Sequence, residues 1–156
     1  RGLPGAVPCR RLLLSPRAMP LSPRLILLHK HRTSGRVRFL CLPHGVVAFR
    51  PLPTLAALRD EDYPAKIQIH PTALVREAET RLGMAEHSIA PEAEFSAWVD
   101  TPDGDVPILL ATFADIDPPF AVADRVSARF IALTEALRLT EVERNLLRRA
   151  YEHVLG

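Results

Sequence analysis

Acidic residues are absent from the first 59 positions of the sequence. This segment carries 11 of the 20 lysines and arginines but no aspartate or glutamate, and all 18 acidic residues follow from Asp60 onward. Ordinary globular sequences mix both signs of charge along the chain, so a stretch of this length with one sign marks a distinct compositional segment. The chain therefore divides into two compositional segments near Arg59–Asp60.

Cysteine and long apolar runs are also scarce. Cys9 and Cys41 are the only cysteines, which is too few for a disulfide framework, and neither has the spacing to histidine that a zinc site requires. The longest apolar run, Leu25–Leu28, is far shorter than the roughly 18 residues of a membrane-spanning helix. We therefore expect a soluble, cytoplasmic protein that does not contact membranes.

Residues 1–59 are predicted to be irregular, disordered or not native to the folded protein. Eight of the 15 prolines lie between Pro4 and Pro53, and each disfavours helix at the residue before it and removes a hydrogen-bond donor. Only Arg36 to Phe39, in which apolar and basic residues alternate, is typical of a strand. The segment fits three interpretations: an arginine-rich targeting presequence, a basic arm that binds nucleic acid, or translated sequence upstream of the true start.

Residues 60–83 give a mixed signal. Lys66 to His70 has the alternation of a short strand, and Ala73 to Leu82 has the spacing of a helix that Gly83 would close. The alternative is that these residues are a linker and that the folded domain starts at Met84.

The pattern from Phe95 to Phe113 predicts a β-hairpin. Apolar and polar residues alternate over residues 95–100, and apolar side chains recur through residues 105–113. Between them, Thr101-Pro102-Asp103-Gly104 has turn chemistry, with a proline that presets φ and a glycine that accepts positive φ.

Two helices are predicted after the hairpin. The first would start at Pro118 and continue to Leu137, because apolar residues recur at three- and four-residue intervals. The second would start at the capping box Thr140–Glu143 and end near Leu155. The predicted fold class is thus α+β, with a compact domain over residues 84–156 in which a hairpin packs on two helices (ββαα).

Three segments resemble a family of short uncharacterised bacterial proteins of about 75 residues. They are Trp98–Pro102, Ile116–Phe120 and Leu146–Gly156, and the resemblance covers Glu86–Gly156 alone. It implies a start at or near Met84, and it brings no known activity or ligand.

The residues alone show no catalytic, cofactor-binding or metal-ligating motif, so we do not expect an enzyme or a cofactor. Asp100, Asp103 and Asp105 lack the glycine and distal glutamate of a calcium loop and are better explained as turn residues. Asp115 and Asp117 could form a carboxylate pair for acid–base chemistry or a metal, and they carry the alternative of a small enzyme or metal protein. No small-molecule ligand is indicated.

Four residues are candidates for an interface. Trp98 is predicted on the outer face of the hairpin, where a large ring often anchors a partner. Arg144, Arg148 and Arg149 share the outer face of the last helix. Because residues 84–156 carry 6 basic and 13 acidic groups, the domain as a whole would repel nucleic acid. The main hypothesis is therefore a non-enzymatic interaction or regulatory module that forms a homodimer or binds a protein partner, and the alternative is a nucleic-acid-associated protein that uses the basic arm.

Overall fold

The computed structural model describes residues 21–64 and 67–156. In this part of the chain, eight strands form one mixed β-sheet with three α-helices and a 3-10 helix around it. The strands are β1 (Arg24–Lys30), β2 (Val37–Cys41), β3 (Val47–Ala48), β4 (Ala57–Leu58), β5 (Ile89–Pro91), β6 (Ala97–Thr101), β7 (Gly104–Phe113) and β8 (Arg129–Ile131). The helices are α1 (Thr72–Arg81), α2 (Phe120–Arg125), α3 (Glu141–Leu155) and the 3-10 helix Leu133–Arg138.

The first strand is the centre of the sheet. β1 pairs in parallel with β7 and antiparallel with β2 and β3, and the order along the main path is β4-β6-β7-β1-β2-β8. Residues Leu25–Leu28 are all buried. A strand covered on both faces is apolar at every position instead of at alternate ones, and this accounts for the continuous run of leucine and isoleucine.

Helices cover both faces of the sheet. Alternate residues of β1 enter two separate cores, because successive side chains of a strand point to opposite faces. Ile26 and Leu28 pack in the core that also holds Leu146, Leu147 and Ala150 of α3. On the opposite face, the core contains Leu25 and Leu27 of β1 together with Val75 and Ala78 of α1 and Ala123 of α2.

The predicted hairpin is confirmed, as is the last helix. β6 and β7 pair antiparallel with Val99 opposite Val106, and Gly104 closes the turn at φ +136°. In α3, the Thr140 hydroxyl accepts a hydrogen bond from the Glu143 N–H, and the Glu143 carboxylate accepts one from the Thr140 N–H. The helix predicted over 73–82 is present as α1, followed by Gly83 at φ +67°.

The predicted ββαα fold class is wrong. The hairpin is part of an eight-stranded mixed sheet, and β1 and β2 come from the N-terminal third, which was expected to be irregular. The first 20 residues, on which part of that expectation rested, lie outside the described residues. No strand forms over 67–70, and Lys66 also lies outside the described part.

The single helix predicted from Pro118 to Leu137 is also wrong. The chain forms the short helix α2, turns at Ser127 with φ +57°, and then pairs β8 with the edge of β2 before the 3-10 helix. Pairing with an exposed sheet edge satisfies the backbone of residues 129–131 and overrides their helical spacing.

Within the described residues, no helix is long and apolar enough to cross a membrane.

Candidate functional site

A pocket with a strong excess of positive charge lies where β1 begins, beside the chain that follows β3 and beside α1. It has a volume of about 460 Å³. Among the residues that line it are Arg24, Arg50, Arg81 and His70, with Glu77 as the one carboxylate that the described residues bring to it. We call this cavity the basic pocket. Its composition suits an anion, because three guanidinium groups face one carboxylate.

Arg24 is the first residue of β1, and its position leaves part of its guanidinium without a partner. Its Nη1 donates a hydrogen bond to the Ser22 carbonyl at 2.8 Å, whereas its buried Nε has no hydrogen-bond partner among the described residues. Burial, followed by the nearby positive charge of Arg50, lowers the pKa of Arg24. A buried unsatisfied donor is costly in a folded protein, and a bound anion would relieve both this cost and the repulsion.

Helix α1 supplies the acidic side of the pocket. Glu77 and Arg81 lie one turn apart, so both reach the same face of the helix, and Arg81 Nε lies 3.0 Å from Glu77 Oε2. The Arg81 Cζ also lies 5.0 Å from the centroid of the Phe49 ring, within the range of a cation–π contact. Phe49 is half-buried and lines the same pocket.

A second cavity of about 390 Å³ lies between the turn that follows β2 and the start of α3. Glu143 is buried at this point and accepts a hydrogen bond from the Val46 N–H at 2.9 Å. Cys41 lines the cavity, and burial raises the pKa of its thiol. Since the thiolate is the nucleophile, this shift works against covalent catalysis by Cys41, and Glu143 is engaged in holding the turn.

Each of the four predicted interface residues has a contact within the chain. Trp98 is 8% exposed, pairs with Pro107 in the sheet, and its ring centroid lies 6.1 Å from that of Tyr63. Arg149 donates a hydrogen bond to the Arg59 carbonyl at 3.0 Å. The other two arginines of the predicted set, Arg144 and Arg148, bind the Leu139 carbonyl and the Asn145 amide oxygen. A homodimer or a protein partner stays a prediction.

Asp115 and Asp117 lie in the loop before α2, and both are exposed. The Asp115 carbonyl accepts a hydrogen bond from His29 Nε2 at 2.9 Å, and the Asp117 carboxylate lies 3.6 Å from His31 Nε2. Across residues 21–64 and 67–156, no group of three or more His, Cys, Asp and Glu side chains could hold a metal ion. The structure therefore does not bring these two aspartates into a metal-binding cluster.

Tyr63, which covers Trp98, gives a pH-dependent prediction. Asp105 accepts a hydrogen bond from the Tyr63 hydroxyl at 2.6 Å and one from Arg59 Nη2 at 3.0 Å. The bond to Asp105 raises the pKa of Tyr63 above its ordinary value of about 10. Stability from neutral Tyr63 is thus fully present below about pH 10 and is lost as the pH rises through the raised pKa.

Ultraviolet titration of the phenolate checks this prediction. In Tyr151→Phe, Tyr63 is the remaining tyrosine, and its titration should be displaced to higher pH than that of free tyrosine. Adding Asp105→Asn should move it back toward the ordinary value. A titration that Asp105→Asn leaves unchanged would contradict the assignment.

The chain shares its fold with an Ap4A hydrolase. A solved structure titled "Crystal Structure of C. elegans Ap4A Hydrolase" is similar with a TM-score of 0.50 and 16% sequence identity, over 88% of this chain and 100% of that one. No protein-family model and no curated relative matches the sequence.

These comparisons correct two expectations. The resemblance to a family of short bacterial proteins over Glu86–Gly156 is wrong, because no family model matches and the similarity in fold covers most of the chain. The expectation that the chain is not an enzyme is also corrected, because the protein with the shared fold is a hydrolase.

Sequence reasoning missed the basic pocket because its parts are distant in the chain. Arg24 and Arg50 belong to the acid-free segment that was expected to be irregular, whereas Glu77 and Arg81 belong to α1. Two local signals were present: an arginine at the start of the apolar run 25–28, and acidic and basic residues four apart on a predicted helix.

Proposed function

We propose that the protein is a hydrolase that binds a phosphate-bearing small molecule, a nucleoside polyphosphate, in the basic pocket. The observation that carries the proposal is the cluster of Arg24, Arg50 and Arg81 with the buried, unpartnered Arg24 Nε. The shared fold with an Ap4A hydrolase supports the enzyme class, and Ap4A is itself a nucleoside polyphosphate.

The guanidinium groups account for binding and for stabilisation of charge. A guanidinium matches the oxygens of a phosphate with paired hydrogen bonds and stays charged at any physiological pH. When a phosphoanhydride is hydrolysed, negative charge develops on the transferred group and on the leaving oxygen, and fixed cations at those oxygens lower the barrier. Arg24 is suited to this role because it begins the central strand β1 and its backbone pairs with β7 at Ile108.

Glu77 is the candidate for handling the proton. In the reaction, the oxygen of water forms a bond to phosphorus, the phosphorus–oxygen anhydride bond breaks, and the leaving phosphate keeps the electron pair. A carboxylate beside the attacking water can orient it and accept its proton. Glu77 is the carboxylate of the described residues that lines the pocket, and His70 is the neighbouring imidazole that can take the proton onward.

Hydrolysis of Ap4A and of nucleoside triphosphates tests the proposal. Cleavage of Ap4A is followed by chromatography of the nucleotides that form, and cleavage of a triphosphate is followed as released phosphate or pyrophosphate. Mg²⁺ binds the phosphates of such substrates, so one series of assays contains Mg²⁺ and a second contains EDTA. Loss of a hydrogen bond to a charged group costs about 1.5–3 kcal/mol, so Arg24→Gln and Arg50→Gln should each lower kcat/KM about ten- to hundredfold. Circular dichroism and thermal melting establish that the variants are folded.

Arg36→Gln is the matched control. Arg36 is an exposed arginine of the same acid-free segment and does not line the pocket, so its replacement should leave kcat/KM within twofold. Absence of hydrolysis of every substrate in both series, or hydrolysis that neither Arg24→Gln nor Arg50→Gln reduces, would refute the proposal.

A further inference from the structure

Arg81 contacts two groups of the basic pocket that a bound nucleotide would use, the Glu77 carboxylate and the Phe49 ring. Its Nε lies 3.0 Å from the Glu77 carboxylate, and its Cζ lies 5.0 Å from the centroid of the Phe49 ring. One guanidinium therefore pairs with the carboxylate that lines the pocket and covers the aromatic ring beside it.

We propose that Arg81 is a latch that the phosphates of the substrate open. When they bind, the Arg81 guanidinium leaves Glu77 and Phe49 and pairs with a phosphate. This movement frees the carboxylate to orient water and frees the ring to stack on a base. The inference rests on the proposed function and assigns Arg81 as the residue that controls when Glu77 is free to act.

The relative strength of the two pairings favours opening. The Arg81 and Glu77 side chains are 56% and 51% exposed, so water screens their attraction and the pair contributes little. A polyphosphate carries several negative charges, and its oxygens accept paired hydrogen bonds from the same guanidinium. Arg81 therefore gains more from the ligand than it loses by leaving Glu77.

The geometry allows the change without movement of the backbone. Glu77, Arg81 and the other three guanidine- or imidazole-bearing residues already line one cavity. A change of side-chain rotamer, which long exposed side chains make readily, is enough to carry the guanidinium from Glu77 to a ligand in the pocket.

The latch has a functional consequence. In the free protein, Glu77 is paired and a water molecule beside it is not activated. Substrate binding both fills the pocket and releases the carboxylate, so the proton acceptor becomes available only when a phosphate is present to be attacked. This coupling is a form of induced fit.

Isothermal titration of the full chain with inorganic tripolyphosphate tests the latch apart from catalysis. Arg81→Gln should weaken binding at least tenfold, and Arg81→Lys should restore most of it, because lysine also pairs with phosphate. Glu77→Gln should strengthen binding, since no pair has to be broken. The factor by which Glu77→Gln strengthens binding should be at least three times larger when Arg81 is present than in the Arg81→Gln background. Simple removal of a negative charge would give the same factor in both backgrounds.

Arg76→Gln is the matched control. Arg76 lies on the same helix and forms an exposed ion pair with Glu86 at 3.3 Å, outside the pocket, so binding should change by less than twofold. If Arg81→Gln binds within twofold of the wild type, or if the gain from Glu77→Gln is equal in both backgrounds, the latch is refuted.

The outcome also separates the latch from the proposed function. If Arg24→Gln and Arg50→Gln weaken binding and Arg81→Gln does not, the pocket stands and the latch fails. If the wild type binds tripolyphosphate but hydrolyses no substrate, the hydrolase proposal fails while the binding data still decide the latch. If the wild type binds no tripolyphosphate, both are overturned.

The Phe49 ring provides an independent readout. Base–aromatic stacking adds affinity for any nucleobase, so the imido analogue of adenosine triphosphate should bind the wild type more tightly than tripolyphosphate does. Phe49→Leu should remove most of this difference and leave tripolyphosphate binding within twofold. Equal affinities for the two ligands in the wild type would show that the ring stays covered and would overturn this part of the latch.

Discussion

Replacement of Phe39 by alanine is expected to lower the free energy of unfolding by about 3–5 kcal/mol, the usual cost of removing a fully buried aromatic ring. Phe39 lies on β2, pairs with Leu28 on one side and Ile131 on the other, and is 0% exposed. Its ring packs in the core that also holds Leu146 and Leu147 of α3. Urea unfolding followed by circular dichroism measures the change.

Leu55→Ala is the control for this experiment. Leu55 belongs to the same acid-free segment, but its side chain is 77% exposed, so its replacement should change stability by less than about 0.5 kcal/mol. If the segment were irregular and not part of the fold, both substitutions would have the same small effect. A loss confined to Phe39→Ala shows that the segment is part of the cooperative structure.

Gly45→Ala is expected to destabilise the protein by about 3 kcal/mol or more, through two separate effects. Gly45 has φ +141°, a conformation that residues with a side chain rarely adopt. A Cβ at this position would lie 2.1 Å from Glu143 Oε2, which is the oxygen that accepts the hydrogen bond from the Val46 N–H. The substitution therefore strains the turn and displaces the buried carboxylate from its partner.

Gly35→Ala separates the two effects. Gly35 also has positive φ, at +71°, but nothing lies within 4 Å of an added Cβ. It should cost only the backbone strain, about 1–2 kcal/mol. Thermal and urea unfolding of both variants measures the difference. Equal losses at the two glycines would show that the contact with Glu143 carries no stability.

Local patterns predicted those elements whose signals lie within a few residues. The hairpin of β6 and β7, helix α1 with its closing glycine and the capping box of α3 follow from turn chemistry, apolar spacing and end signals. The helix predicted over 118–137 failed because β2 offers an unpaired edge to residues 129–131. That competition depends on a strand 90 residues earlier in the chain and leaves no local trace.

The central strand was missed for a different reason. Leu25–Leu28 lacks alternation because both faces are covered, and a short uninterrupted apolar run does not by itself identify a strand. The prolines of the segment also misled, since Pro23 precedes β1 and Pro43 lies in the turn after β2. These two prolines therefore lie at the ends of strands and do not interrupt a strand.

The candidate site could not be assembled from the sequence. It depends on the parallel pairing of β1 with β7, which fixes Arg24 opposite Ile108. It also depends on the packing of α1 against the face of the sheet that carries Leu25 and Leu27. Neither contact is local, so the arginines of the acid-free segment had no visible relation to Glu77 and Arg81.

The pairing of β1 with β7 also affects how the protein is made. A ribosome produces β1 first, yet the strand that completes its pairing ends at Phe113, 83 residues after Lys30, or on the order of ten seconds of synthesis. During that interval, the edge of the leucine-rich strand β1 that later pairs with β7 is open to contact with other nascent chains. Arg24 and Lys30 stand at its two ends, where charges discourage strands of different molecules from joining. Arg24, which we propose to hold a phosphate in the folded protein, thus also lies where a charge opposes association of the newly made strand.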